Sequence, residues 1–228
     1  NELNKMSQGD KKVTDYAVAY MWGTAGTLYN TELVTEEEAL ECANMWDPKF
    51  NNKLLMKDSY RDCYGLAIIY ANKERLAKGE VTVEQLMNDN SHEAIATAEE
   101  YLKALKPNIA GWEADFGKEM MTKGKAWMNF TWSGDAVWAI EEAAEVDVEL
   151  DYVVPLEGSN VWFDGWVIPK YARNVKAASY FINYMCRPDI ALRNMDAIGY
   201  VSAVATPEIL EAKIDSTLEN YSDLSYFF

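Results

Sequence analysis

Acidic and aromatic side chains recur together along this 228-residue chain, and together they can hold a cation. Asp58, Ser59 and Asp62 follow the apolar run Lys53–Met56, and Trp132 follows Ala126–Thr131. Trp162 and Asp164 sit inside Val161–Pro169, Trp22 closes Tyr16–Met21, and Tyr200 comes directly after an Ile198-Gly199 helix stop. Carboxylates pair with ammonium groups. Flat rings replace water around methylene stems and attract cations through their faces, each desolvated ring contact contributing roughly 0.5–2 kcal/mol. Asp164 lies within an apolar strand pattern, where burial is costly unless a cation or a donor meets it. It is therefore read as a candidate contact for a cation, with a buried hydrogen bond to backbone amides as the simpler alternative.

Elements must bring these residues together. Tyr16–Trp22 is rich in strand formers and stops at Gly23, and Thr27–Tyr29 continues as a second short strand. Thr35-Glu-Glu-Glu38 fits a capping box that opens a helix running towards Trp46, and Asp47-Pro48 ends it. Lys53–Met56 reads as a buried strand leading into the loop Lys57-Asp58-Ser59, with a helix from about Arg61 to Lys78. Gly79 stops that helix. Thr82 begins a short one, and Ser91 caps a longer one whose Ala94, Ala98, Tyr101 and Leu105 recur at helical spacing up to Pro107. Beyond Gly111 come a helix at Ala114–Thr122, a strand at Ala126–Thr131 and a helix from Gly134 to Ala144. Strands at Asp151–Pro155 and Val161–Pro169 follow, then helices at Val175–Cys186 and Pro188–Ile198 and a last one after the Thr206-Pro207 cap. Alternating strands and helices predict an α/β fold, an open sheet flanked by helices, whose ligands collect beyond the carboxyl ends of strands.

Charge narrows the partners. Twenty-one Lys and Arg against 37 Asp and Glu leave a formal charge of −16, which repels phosphate backbones and anionic lipid and favours cations. Nucleic acid is excluded on this ground. Cys42, Cys63 and Cys186 are odd in number and far apart, and indicate neither a disulfide framework nor a zinc cluster. The single histidine, His92, rules against Ser-His-Asp catalysis and multi-histidine metal sites. No Gly-rich phosphate loop follows a strand, and no cofactor or metal is expected. Asn129-Phe-Thr131 matches a glycosylation sequon but falls in a predicted strand. No apolar run approaches membrane-spanning length, and the polar start Asn1–Lys12 reads as a tail.

The segment Tyr16-Ala-Val-Ala-Tyr-Met-Trp-Gly-Thr24 with Leu28-Tyr-Asn30 resembles the first interlobe strand of spermidine/putrescine-binding proteins, with Ala19 where that family carries Pro. Trp46–Phe50, Leu54–Asp62, Trp132–Ala136, Val161–Pro169, Ala178–Asn183 with Pro188–Ala191, and Ile198–Tyr200 resemble further landmarks of the family, in the same order. The resemblance implies a two-lobed, type II periplasmic-binding-protein fold on the periplasmic or extracellular face of the membrane. Such a protein captures polyamine and delivers it to ABC transporter permease subunits. It implies that Asp62 pairs with one amine and Asp164 with another, that Trp132 and Trp162 line the methylene stem, and that Tyr200 contacts the ligand. Asp58, Ser59 and Trp22 complete the candidate set. Some family members carry an acidic residue where Ser59 stands here, and Glu is also found where Asp62 stands.

By the same resemblance residues 1–14 are a tail, 15–157 a nearly complete second lobe, 158–204 part of the first lobe, and 205–228 a return to the second. Family members carry further N- and C-terminal segments. The chain alone is therefore expected to bind polyamine weakly, to leave Val161–Ile168 without its native sheet neighbours, and to self-associate. Two other readings compete. One keeps the binding fold and takes a sugar, a thiamine-like cation or a ferric complex. The other is a glycoside hydrolase with Asp62 and Asp164 as acid and base.

Overall fold

The computed structural model describes residues 7–8, 10–114 and 117–209. These form two compact units, one spanning Thr24–Val161 and the other holding the described residues up to Gly23 and from Trp162 onward. The chain thus passes from one unit to the other twice, inside a strand at Gly23 and again at Val161. The family resemblance places lobe boundaries at residues 15 and 157, and compact packing divides the described residues at 23 and 161. Residues 205–209 group with the smaller unit, and 210–228 lie outside the described residues.

The polar start is not featureless: β1 (Ser7–Gln8) and β2 (Lys11–Lys12) pair antiparallel, in strands too short to show a period. β3 (Ala17–Asn30) is one fourteen-residue strand, where Gly23 had been read as a stop. A glycine can instead serve a strand by allowing close approach. A Cβ on Gly26 would stand 2.5 Å from the Val153 carbonyl and from Tyr152 Oη.

The larger unit continues with α1 (Glu36–Leu40), β4 (Leu54–Lys57), α2 (Tyr60–Ala71), α3 (Lys73–Ala77), α4 (Val83–Asn88) and α5 (His92–Leu105). It then runs through β5 (Ile109–Glu113), α6 (Gly117–Thr122), β6 (Met128–Trp132), α7 (Ser133–Ala144) and β7 (Leu150–Val153). The capping box expected at Thr35 forms, and Thr82, expected only to begin a helix, forms one as well with Gln85. The long helix expected to Lys78 breaks at Asn72. The helix expected to reach Trp46 ends at Leu40 and gives way to a 3-10 turn over Cys42–Trp46.

Its strands lie in the order β5-β4-β6-β3-β7. β4 is parallel to β5 and β6, and β3 is antiparallel to β6 and β7. Every residue of β4 is buried because alternate side chains enter different cores. Leu54 and Met56 join Leu66, Ile69 and Leu105 on the α2/α5 face, while Leu55 joins Met121, Ala136 and Ala139 on the α6/α7 face. The unit is a three-layer α/β/α arrangement with a mixed sheet.

In the smaller unit β8 (Val161–Val167) and β9 (Val201–Ser202) pair with β3, the latter through Met21↔Ser202 and Trp22↔Val201. Val161–Ile168 therefore has a sheet partner in β3. α8 (Val175–Met185) and α9 (Pro188–Ile198) lie between them in sequence. α9 ends on Gly199 at φ 73°, the left-handed stop that the Ile198-Gly199 pattern predicts. This unit is thinly covered: α8 has no buried residue, and Val167, Tyr180 and Phe181 are exposed.

Candidate functional site

In the larger unit the parallel strands β4 and β6 deliver two predicted residues to each other. Ser59 is the N-cap of α2, and its Oγ accepts from Asp62 N at 3.4 Å, which places Asp62 at the third helical position. A carboxylate there is favoured by the positive end of the helix. Trp132 is the last residue of β6 and the N-cap of α7. Its Nε1 donates to Asp62 Oδ2 at 2.9 Å, across 70 residues of sequence. The second oxygen, Asp62 Oδ1, accepts from Asn160 Nδ2 at 2.9 Å, and the Asn160 carbonyl accepts from Ala25 N at 3.0 Å. Asp62 is 5% exposed, and both its oxygens already hold protein donors. It is thus first a strut that fixes the Trp132 ring and the Asn160 loop. A carboxylate oxygen has room for a further donor beside these two.

Asp58 is exposed, with its backbone N–H on the Glu113 carbonyl, and Ser59 Oγ is engaged in capping. Beside them the buried Cys63 donates its thiol to the Lys57 carbonyl at 3.3 Å. Burial pushes that thiol up to about 12, with Asp62 and Asp58 adding to the shift.

Lys57 was read as a loop residue and is instead the buried end of β4, 2% exposed. Its Nζ donates to the Ala114 carbonyl at 2.7 Å and to Asp135 Oδ2 at 2.5 Å, and lies 3.6 Å from Glu113 Oε1. The same Nζ stands 4.4 Å from the centroid of the Trp132 ring. Glu113, also buried, accepts from Asn129 Nδ2 at 3.1 Å and from Gly117 N at 3.3 Å. Asn129 is 2% exposed, which removes the sequon from solvent. None of Lys57, Glu113, Asp135 and Asn160 was picked out from sequence. A lysine that extends the run Leu54–Met56 was the available signal, since a charge in a doubly covered strand needs buried partners.

The smaller unit holds the other candidates. Trp162 and Tyr200 meet edge to face with centroids 5.0 Å apart, and Trp22 lies 6.4 Å from Phe163. Trp22 and Trp162 sit within strands β3 and β8 rather than beyond their ends. Asp164 projects from β8 in register with Trp162 and Trp166, two residues to either side. It is exposed, which sets aside the simpler alternative of a carboxylate buried against backbone amides. Tyr20, packed against Trp166 at 4.7 Å, has its hydroxyl shifted upward by burial and then by the Asp164 charge. The indole N–H of Trp162 is buried without an acceptor.

A cavity of about 660 Å³ is lined by Tyr60, Arg61, Tyr64, Ile95, Leu102 and Trp112 and contains none of the predicted residues. Among the described residues no group of three or more His, Cys, Asp or Glu could hold a metal ion, and no helix is long and apolar enough to cross a membrane.

The family described as bacterial extracellular solute-binding protein matches residues 2–217. The spermidine/putrescine-binding periplasmic protein of Salmonella typhimurium is 28% identical over 210 residues, covering 92% of this chain and 56% of the relative. The chain therefore spans a little over half the length of the curated relative it matches. A solved structure of a Listeria monocytogenes protein assigned as a spermidine/putrescine ABC transporter aligns with TM-score 0.80 at 29% identity, over 99% of this chain and 65% of the other. The spermidine/putrescine ABC transporter substrate-binding protein of Streptococcus pneumoniae aligns with TM-score 0.70 at 29% identity, over 95% and 60%.

Proposed function

Because the chain belongs to the bacterial extracellular solute-binding protein family, we propose that it takes part in capturing a polyamine of the spermidine and putrescine class. Capture takes place outside the cytoplasmic membrane, and the ligand passes to an ABC-type permease. The observation that carries this reading is the Asp62–Trp132 pair, a carboxylate bonded to the indole whose ring would cover a methylene stem. The relatives named above, whose printed names specify spermidine and putrescine, support the ligand class.

In this reading, in the larger unit Asp62 receives an ammonium, Trp132 covers the methylenes next to it, and Asp58 and Ser59 shape the surroundings. In the smaller unit Asp164 receives an ammonium, with Trp162, Tyr200 and Trp22 as its aromatic cover. Charge-assisted bonds at the amines supply direction, and apolar cover of the stem supplies most of the remaining affinity. Self-association belongs to the same reading and is supported by the exposed apolar residues of β8 and α8. Light scattering tests it against the 25.9 kDa of one chain.

A neutral solute rich in acceptors, such as a sugar, is the second reading. It is favoured by the orphaned Trp162 Nε1, because a protonated amine offers no lone pair to that donor.

Calorimetric titration with putrescine, spermidine and glucose separates the two. Saturable amine binding that is lost in Asp164→Asn, whose exposed carboxylate carries little stability, supports the polyamine reading. Glucose binding without amine binding replaces it.

A further inference from the structure

One face of the Trp132 ring is already occupied. The Lys57 ammonium stands 4.4 Å from its centroid, held there by the Ala114 carbonyl at 2.7 Å, by Asp135 at 2.5 Å and by Glu113 at 3.6 Å. The indole edge is fixed as well, through Nε1 on Asp62. Turning the ring over would break its bond to Asp62.

We propose that Lys57 is a specificity-determining residue. Its resident ammonium selects for a ligand that lays uncharged methylenes, and not an ammonium, against Trp132. This rests on the polyamine reading above. The attraction of a ring for a cation comes from the negative potential over its face, and a cation on one side withdraws that potential from the other. An ammonium on the opposite face would stand roughly 8 Å from Nζ, where like charges at an effective dielectric near 20 repel by more than a tenfold change in affinity. Asp135 and Glu113 bring two negative charges beside this one, so the face is not repulsive overall; the charge on Lys57 lowers its pull on an ammonium, by an amount on the order of tenfold.

The ligand chemistry that fits is an α,ω-diamine, charged only at its ends. A triamine such as spermidine brings an internal ammonium into the stem, and that charge is the one Lys57 opposes.

The test compares Lys57→Met, neutral and of similar length, with Lys57→Arg, which keeps the charge. Lys57→Gln, which can still donate to Asp135, replaces the Met variant if that fails to fold. Proteins labelled with 5-fluorotryptophan are observed by 19F NMR, the Trp132 line being the one lost in Trp132→Phe, and are titrated with putrescine and spermidine. The expected result is a spermidine affinity tightened about tenfold in the neutral variant, against less than threefold for putrescine, with the Arg variant keeping the original ratio. The ligand-free Trp132 line is expected to move in the neutral variant. Weakened binding of both amines, or an unchanged ratio, would overturn the proposal and leave Lys57 as a packing residue. An unmoved Trp132 line overturns it without reference to any ligand. A moved line with no amine binding by the unaltered protein rejects the polyamine reading and retains the lysine's hold on the ring.

Discussion

Replacing Asp62 by Asn changes no volume and removes one acceptor from a site that uses two. In the native structure Oδ2 accepts from Trp132 Nε1 and Oδ1 from Asn160 Nδ2, both at 2.9 Å. An amide offers one oxygen and one NH₂, so in either orientation an N–H is driven against an N–H. A hydrogen bond to a charged acceptor contributes about 1.5–3 kcal/mol, and the negative charge near the start of α2 contributes about 0.3–1 kcal/mol more. Asp62→Asn is therefore expected to destabilise the larger unit by about 3 kcal/mol. Urea unfolding followed by far-ultraviolet circular dichroism measures this, with the denaturant slope checked for constancy. The reasoning also fixes a coupling. With Asn160→Ala in the background, the amide oxygen can turn to Trp132 alone, and the same substitution should cost about 1–2 kcal/mol less. A cost below about 0.5 kcal/mol, or additivity within that margin, would refute the view of Asp62 as a strut.

Other expectations follow from equally local geometry. Gly26→Ala forces a methyl to 2.5 Å from the Val153 carbonyl and should cost about 2–3 kcal/mol. Gly79→Ala, at φ 68° in open space, should cost only about 1 kcal/mol; thermal melts that rank the two the other way contradict the packing of β3. Ser59→Ala removes the α2 cap and should cost about 1 kcal/mol in the same urea assay; a larger loss of amine affinity than of stability would show that its hydroxyl also reaches ligand. Thiol titration of the folded chain at pH 8 should label Cys186 first, because burial raises both the Cys42 and Cys63 thiols; equal rates for all three would contradict this. Burial, then Asp151 and Glu36, raise the Tyr29 hydroxyl above its ordinary value of 10.0, so its neutral form stabilises the fold fully below that pH and progressively less above it. Tyr29→Phe should lose less stability between pH 9 and 11 than the unaltered protein, and parallel losses would remove Tyr29 as the cause.

Much of the architecture was open to reading from local chemistry. Thr35, Thr82 and Ser91 announced helices because a side-chain oxygen three residues before a free backbone N–H caps it wherever the helix lies. Gly199 announced a stop because only a residue without Cβ takes a left-handed conformation cheaply. β5 was missed. Ile109–Glu113 is short, contains a glycine and follows a proline, and it is held as a strand by parallel pairing with β4, a partner more than fifty residues away in sequence.

The sequence by itself determined the α/β class, most strands and helices, and the acidic and aromatic residue types at the strand ends. Tertiary structure alone decided which of those residues act together. Asp62, Trp132 and Asn160 form one cluster because β4 and β6 are neighbours in the sheet, while Lys57 is buried because β4 is covered on both faces. Asp164 is exposed although its strand is apolar. The physical reason is the range of the forces: capping and backbone conformation act within a few residues and leave a local mark. Burial, charge pairing and ring contact depend on distance through space, which the order of residues along the chain does not carry.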